Sequence, residues 1–470
     1  MRRPSGPAGS GALGSAPASP GAAGAPLFRE PGRETGYREP VAPRKIPGSF
    51  PKLTLDIPSD FMQRARTIAT RAAVIAAAVP VAAAVALTVT DKIRRRIHPL
   101  TSKFPTEKPL TEHIDETATT VYTYGADLYE AMLDAIHGAR KTVMLESYIW
   151  KNDQVGQDFK QALIDAAARG VDVYVIVDGF ANLVVPYSFF RFPPSVHVLR
   201  FPVLRPGVAY LNVRTSGRDH RKILVVDDET GFVGGYNIGS LYATQWRDTH
   251  VRLEGPSVWE LRNAFVDFWN RHRKPRHPIL PDVGSGTWLP HLKAARNAPS
   301  ELVFPIRGIY LDAIDRATSH IYITQAYFIP DHDIHAALLA AAARGVDVRV
   351  LVPHRSNHVV ADWLARGHYA SLLRGGVRIF LYQGAMVHAK TATIDRRWTT
   401  IGTANIDRLS LTGNYEVNLE IVDPGLAGRM EDVFAMDLSN AQELTLAQWE
   451  ERGALAKIGE YLLIPLRPLL

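Results

Sequence analysis

The stretch HRKILVVDDETGFVGGYN at positions 220–237 decides the fold, because HAKTATIDRRWTTIGTAN at positions 388–405 repeats its chemistry. Both read His-x-Lys-x4-Asp followed by Gly and Asn. The matched residues are His220 and His388, Lys222 and Lys390, Asp227 and Asp395, Gly234 and Gly402, and Asn237 and Asn405, each pair 168 positions apart. Asp248 and Glu416 extend the match, each 28 residues after its histidine. One His-x-Lys-x4-Asp is a weak signal, since any half-exposed strand alternates polar residues. Six chemically matched positions at one offset indicate a duplication.

The surrounding chain repeats as well. Ala166–Val173, AAARGVDV, recurs letter for letter at Ala341–Val348. Thr142–Leu145 and Val171–Val177 are apolar runs of strand length. Gln157–Arg169 between them has helical spacing and stops at Gly170. The second copy leads into another apolar run, Val348–Val352. Strand, helix and strand in this order predict an α/β fold with parallel or mixed sheets and helices on their faces. The duplication predicts two such units about a pseudo-two-fold axis.

The run Lys222–Val226 reads as a strand, on which His220 and Lys222 share one side. If the halves meet on the axis, two histidines, two lysines and two asparagines converge. Lys222, Lys390, Asn237 and Asn405 supply charge and donors for phosphate oxygens. One neutral imidazole can attack phosphorus in line while the other, protonated, donates to the leaving oxygen. Asp248 and Glu416 are the candidates to orient the rings. Because the cationic side chains neutralise the phosphate, no metal or other cofactor is needed.

At these residues the chain resembles the phospholipase D superfamily, whose signature is a duplicated His-Lys-Asp motif. The context is most similar to bacterial cardiolipin synthases: Arg218–Lys222, Trp246–Gly255, Asn414–Asn418 and the strand entry Leu373–Val377. Two departures stand out. Asp407-Arg-Leu-Ser410 carries its Arg one position early, and Asn357 stands where Asp is usual. The resemblance implies two tandem α/β/α repeats, 110–285 and 286–470, with the active site at their interface. It implies a catalytic set of His220, Lys222, Asp227, His388, Lys390 and Asp395, with His220 forming a phosphohistidine and His388 serving the leaving and incoming alcohols. Asp227 and Asp395 are expected to be structural, bonding backbone or lysine at the strand end. A second phosphatidylglycerol as acceptor gives cardiolipin; water gives phosphatidic acid. A superfamily nuclease and an inactive membrane scaffold are the more distant alternatives.

Composition separates these alternatives. The chain has 470 residues, no cysteine and a net charge of +7. Thiol catalysis and zinc-thiolate sites are therefore excluded. Residues 1–108 carry +10 and residues 109–470 carry −3. The body is thus slightly acidic, which argues against nucleic acid as a partner. In residues 1–50, Gly, Ala, Pro and Ser make up 31, so the arm 1–60 is expected to be disordered. Ala72–Thr90 is uncharged between Arg64, Arg66 and Arg71 on one side and Lys92, Arg94, Arg95 and Arg96 on the other. This predicts a hydrophobic membrane helix over 61–96, with the larger basic cluster placing the body on the cytoplasmic side. His354 and His358 are expected in a solvated loop. Tyr187, Phe189, Phe190 and Phe192 are expected to pack locally or touch lipid, and the apolar terminus Tyr461–Leu470 to cover the core or touch the membrane.

Overall fold

A computed structural model describes residues 82–94, 96–97, 101–205, 212–288 and 291–463. The arm 1–60, residues 61–81 of the hydrophobic segment and the terminal residues 464–470 lie outside the described residues.

Two eight-stranded sheets carry the body. The first contains β1 (Leu110–Ile114), β2 (Thr117–Tyr122), β3 (Thr142–Ser147), β4 (Asp172–Asp178), β5 (Val196–Phe201), β6 (Ile223–Val226), β7 (Thr230–Gly234) and β9 (His250–Glu254). The second contains β10 (Leu292–Asn297), β11 (His320–Gln325), β12 (Asp347–Pro353), β13 (Arg378–Tyr382), β15 (Lys390–Ile394), β16 (Trp398–Gly402), β17 (Glu416–Val422) and β18 (Ala441–Leu444). The order β2-β9-β7-β6-β3-β4-β5 in one matches β10-β17-β16-β15-β11-β12-β13 in the other. β3, β4 and β5 run parallel, as do β11, β12 and β13, while β6 and β15 lie antiparallel to their neighbours. This is the duplicated mixed α/β architecture that the sequence predicts.

Local chemistry sets the elements. The helix Gln154–Ala168 begins before its apolar pattern does, because the Asp153 carboxylate accepts the Gly156 N–H at 3.0 Å. It ends at Gly170, whose φ of 92° suits a residue without Cβ. The parallel strands β4 and β12 are buried on both faces, which is why they read as apolar runs. Ile401, Tyr415, Val417, Leu419 and Ile421 of the second half share one core with Val225, Val233, Val251, Leu253 and Phe265 of the first. The two halves therefore share one core, into which the helices Val258–His272 and Pro424–Ser439 also pack.

The motif aspartates belong to this scaffold. Asp227 and Asp228, at φ of 56° and 61°, form the tight turn between β6 and β7; Asp395 and Arg396, at 53° and 52°, do the same between β15 and β16. Two successive positive φ values suit hairpin twist and favour Asp or Asn at the first position. Asp227 accepts backbone N–H groups of Arg140, Lys141 and Thr142 at 2.8, 2.7 and 2.9 Å. Asp395 accepts those of Thr318, Ser319 and His320 at 2.7, 2.9 and 2.8 Å. Each ties its hairpin to the entry of β3 or β11; the partners are backbone N–H groups and, for Asp395, also the Thr318 hydroxyl at 2.8 Å, not the motif lysines.

The hydrophobic segment is described in part. Residues 82–94 and 96–97 are helical, but Ala83, Ala84 and Leu87 pack on the core of the second half instead of facing outward. Among the described residues no helix is long and apolar enough to cross a membrane. Phe189 and Phe190 pack around Trp150, as the local-packing reading has it, while Tyr187 is exposed. Leu463, the last described residue, is buried in the second core.

Replacing Asp227 by Ala removes an acceptor shared by three N–H groups and puts a less tolerant residue at positive φ. A loss of about 3 kcal/mol is expected. Chemical denaturation should show it as a lower midpoint at unchanged slope.

Candidate active site

The two halves exchange backbone at the site. β8 (Trp246–Arg247) of the first half pairs with β14 (Met386–Val387) of the second, and Asp219 bridges Tyr415 in the symmetric position. His388 N–H donates to Arg247 O at 2.6 Å, and His220 N–H donates to Tyr415 O at 3.0 Å. Each histidine is thereby set beside the carboxylate that follows its partner carbonyl in the other half. His388 Nδ1 lies 2.6 Å from Asp248 Oδ2, and His220 Nδ1 lies 2.9 Å from Glu416 Oε2. Asp248 and Glu416 each lie within hydrogen-bond distance of a motif histidine, that of the opposite repeat, which sequence spacing does not reveal.

Lys222 and Lys390 are buried behind the rings, each donating to the carbonyl of its own motif histidine. Lys390 Nζ also lies 3.0 Å from His388 Nδ1. The Ile149 N–H donates to Asn237 Oδ1 at 3.2 Å, while Asn405 Oδ1 is buried with no partner among the described residues. An ionised Asp248 only accepts, so His388 carries its proton on Nδ1 and leaves Nε2 toward the cavity.

The two carboxylates differ in surroundings. Thr249 N–H donates to Asp248 Oδ1 at 2.8 Å. Burial alone would raise the Asp248 pKa, but the charges of His388 and Lys390 and these hydrogen bonds outweigh it and bring it to about 2. Glu416 receives the Thr403 hydroxyl at 2.6 Å, and its Oε1 is buried without a partner among the described residues. Burial pushes Glu416 up to about 8, against the pull of Lys222. Position 403 is the counterpart of Gly235. A Cβ at Gly235 would stand 2.0 Å from Asp248 Oδ1, so only glycine lets this carboxylate sit where it does.

Burial also lowers the cations. Lys222 falls to about 7, mainly by burial with Lys390 adding repulsion, and Lys390 falls to about 8 by burial that Asp248 offsets only in part. Burial and then the two lysines hold His220 well below its usual value, and burial with Lys390 brings His388 to about 3. Above this group opens a cavity of about 490 Å³, lined by both histidines, both asparagines and a largely apolar wall that includes Ile149, Phe180, Trp246, Ile329, Val359 and Leu409.

Several lining residues escape the sequence reading. Tyr148 sets its ring edge-on to His220 at 4.5 Å, and Trp246 lies 5.1 Å from His388. Tyr327 donates to Asn357 Oδ1 at 2.5 Å. His358 lines this cavity instead of lying in a purely solvated loop, whereas His354 bonds Gln383 outside it. Asp407, in the cavity wall, is pushed up to about 7 by burial and then by Glu416. Thr403 was open to detection as the polar mismatch to Gly235 in the 168-residue offset.

Comparison with known proteins agrees with this geometry. A family model described as a cardiolipin synthase, phospholipase D-like domain, matches residues 132–269 and again 310–438. The chain is 31% identical over 370 residues to a cardiolipin synthase of Clostridium perfringens, covering 74% of this chain and 76% of that one. It is 33% identical over 364 residues to a cardiolipin synthase of Staphylococcus aureus, covering 74% and 73%. Among solved structures, a phosphatidylserine synthase of Haemophilus influenzae shares the fold with a TM-score of 0.59 at 14% identity, covering 80% of this chain and 98% of that one.

The depressed lysines predict a pH-dependent anion site. A lowered pKa leaves a lysine neutral above it, so sulfate, whose charge is constant here, should bind progressively more weakly as pH rises from 6 to 9. Calorimetric titration would measure this. Affinity that stays flat across the range would mean the lysines keep their protons.

Proposed function

The chain belongs to the family of phospholipase D-like cardiolipin synthases, and from that premise we propose that it joins two phosphatidylglycerol molecules into cardiolipin and glycerol through a phosphohistidine. The observation that carries the proposal is the crossed pairing of His220 with Glu416 and His388 with Asp248 below one cavity, beside two buried lysines.

The two steps follow from these groups. Lys222, Lys390, Asn237 and Asn405 hold the phosphate oxygens of the first lipid. His220 Nε2 attacks phosphorus as the P–O bond to the headgroup glycerol breaks, and His388 gives that oxygen a proton. Glycerol leaves. A hydroxyl of the second headgroup then passes its proton to His388 and attacks phosphorus, breaking the P–N bond and freeing His220. The unequal carboxylates support this division of labour. Asp248 stays ionised and stabilises an imidazolium, which an acid needs. Glu416 is held toward its neutral form and leaves His220 neutral, which a nucleophile needs.

The bound diester supplies the charge that the empty site lacks. Its anion lies against both lysines and both rings and raises their proton affinity, so His388 is protonated when a leaving group is present. The apolar part of the wall suits acyl chains. The lipid substrate places the enzyme at a membrane, with the basic cluster after residue 90 favouring the cytoplasmic face.

Phosphatidylglycerol vesicles should yield cardiolipin and glycerol in equal amounts, and His220→Ala should abolish both. Phosphatidic acid as the sole lipid product would make the chain a hydrolase. The histidine roles separate on a phosphatidyl ester of p-nitrophenol, whose leaving group needs no acid. His388→Ala should still release one equivalent of nitrophenol and His220→Ala none; the reverse pattern would exchange the two roles.

A further inference from the structure

The helical residues 82–94 and 96–97 present two unlike faces. Ala83, Ala84 and Leu87 pack on the second core. Val85, Val89, Ile93 and Ile97 are 58%, 53%, 54% and 65% exposed. At about 100° per residue, a spacing of four puts these last residues in one stripe on the side away from the core. Lys92, at one edge of the stripe, and Arg96, between Val85 and Val89 in helical angle, are exposed as well.

We propose that this helix lies in the plane of an anionic bilayer, with the Val85–Ile97 stripe inserted among the acyl chains and the basic residues at the headgroups, so that the cavity mouth faces the lipid. Three observations carry it. The stripe is aliphatic and exposed, while Ala83, Ala84 and Leu87 on another side of the same helix pack on the second core. The charge of Lys92 and Arg96 is opposite to that of anionic lipid. It is continuous with the active site, because Thr88 from the same helix lines the cavity together with Phe180 and Leu409, themselves 50% and 41% exposed. The loop that carries Phe180 adds Leu183 and Val184, exposed at 57% and 81%. A rim of exposed aliphatic and aromatic side chains thus borders the entrance of a site proposed to take lipid. The inference rests on that reading only for the identity of the lipid.

The test uses the full chain and a Val89→Asp/Ile93→Asp variant. Flotation with phosphatidylglycerol-rich vesicles should fall by more than about tenfold in the variant. Cardiolipin synthesis on vesicles should fall with it, while turnover of short-chain phosphatidylglycerol dispersed below its micelle concentration stays within about twofold, which also shows that the fold survives. Because the chain has no cysteine, a fluorophore on Ile93→Cys reports insertion directly by a blue shift on these vesicles. A variant that floats like the parent, or a probe that keeps its aqueous emission, overturns the proposal. If the parent turns over phosphatidylglycerol in neither form, the functional reading fails, and flotation and the probe still decide the docking.

Discussion

Everything at the site depends on two backbone hydrogen bonds that cross between the halves, His220 N–H to Tyr415 O and His388 N–H to Arg247 O. They lock each motif strand to the chain just before the other half's carboxylate. Arg247 in turn is fully buried and held by Asp437 of the second half at 2.8 Å, so the crossing strand is pinned by a buried ion pair. Removing one partner of such a pair strands a charge, which costs far more than the pair gains. Neither half holds a complete histidine–carboxylate pair. The duplication is therefore a condition of the chemistry.

The same symmetry explains why small departures from it matter. Gly235 and Thr403 occupy equivalent positions, yet one makes room for a short carboxylate and the other offers a hydroxyl to a longer one. Asp248 keeps its charge beside a backbone N–H and an imidazole, whereas Glu416 is pushed toward neutrality. In a medium of low dielectric, such a difference decides which ring can carry a proton. Two identical halves would give two equivalent histidines, and a displacement at phosphorus needs one attacker and one acid.

Much of this was legible in the sequence. The offset of 168 residues located both motifs, both carboxylates and both asparagines, and the strand–helix–strand pattern gave the α/β class. The crossed pairing was not legible, because it depends on which sheet faces pack together, and no local periodicity encodes that. Tyr148 was not legible because it lies outside the repeated pattern and its place beside His220 arises from proximity alone. Of the stretch Ala72–Thr90 only residues 82–90 are described. Ala83, Ala84 and Leu87 are apolar for the protein core and Val85 and Val89 for the outside, a division visible only once the body is in place.

Burial at the site has a further consequence for specificity. In the empty site it lowers Lys222 to about 7 and Lys390 to about 8 and holds both histidines below their usual values. A neutral molecule in the cavity leaves that balance where it is. An anionic diester shifts it, because each nearby cation gains a partner and the proton needed for the leaving group becomes available. In the proposed reaction the acid thus forms in response to substrate charge, which favours a phosphodiester over a neutral molecule.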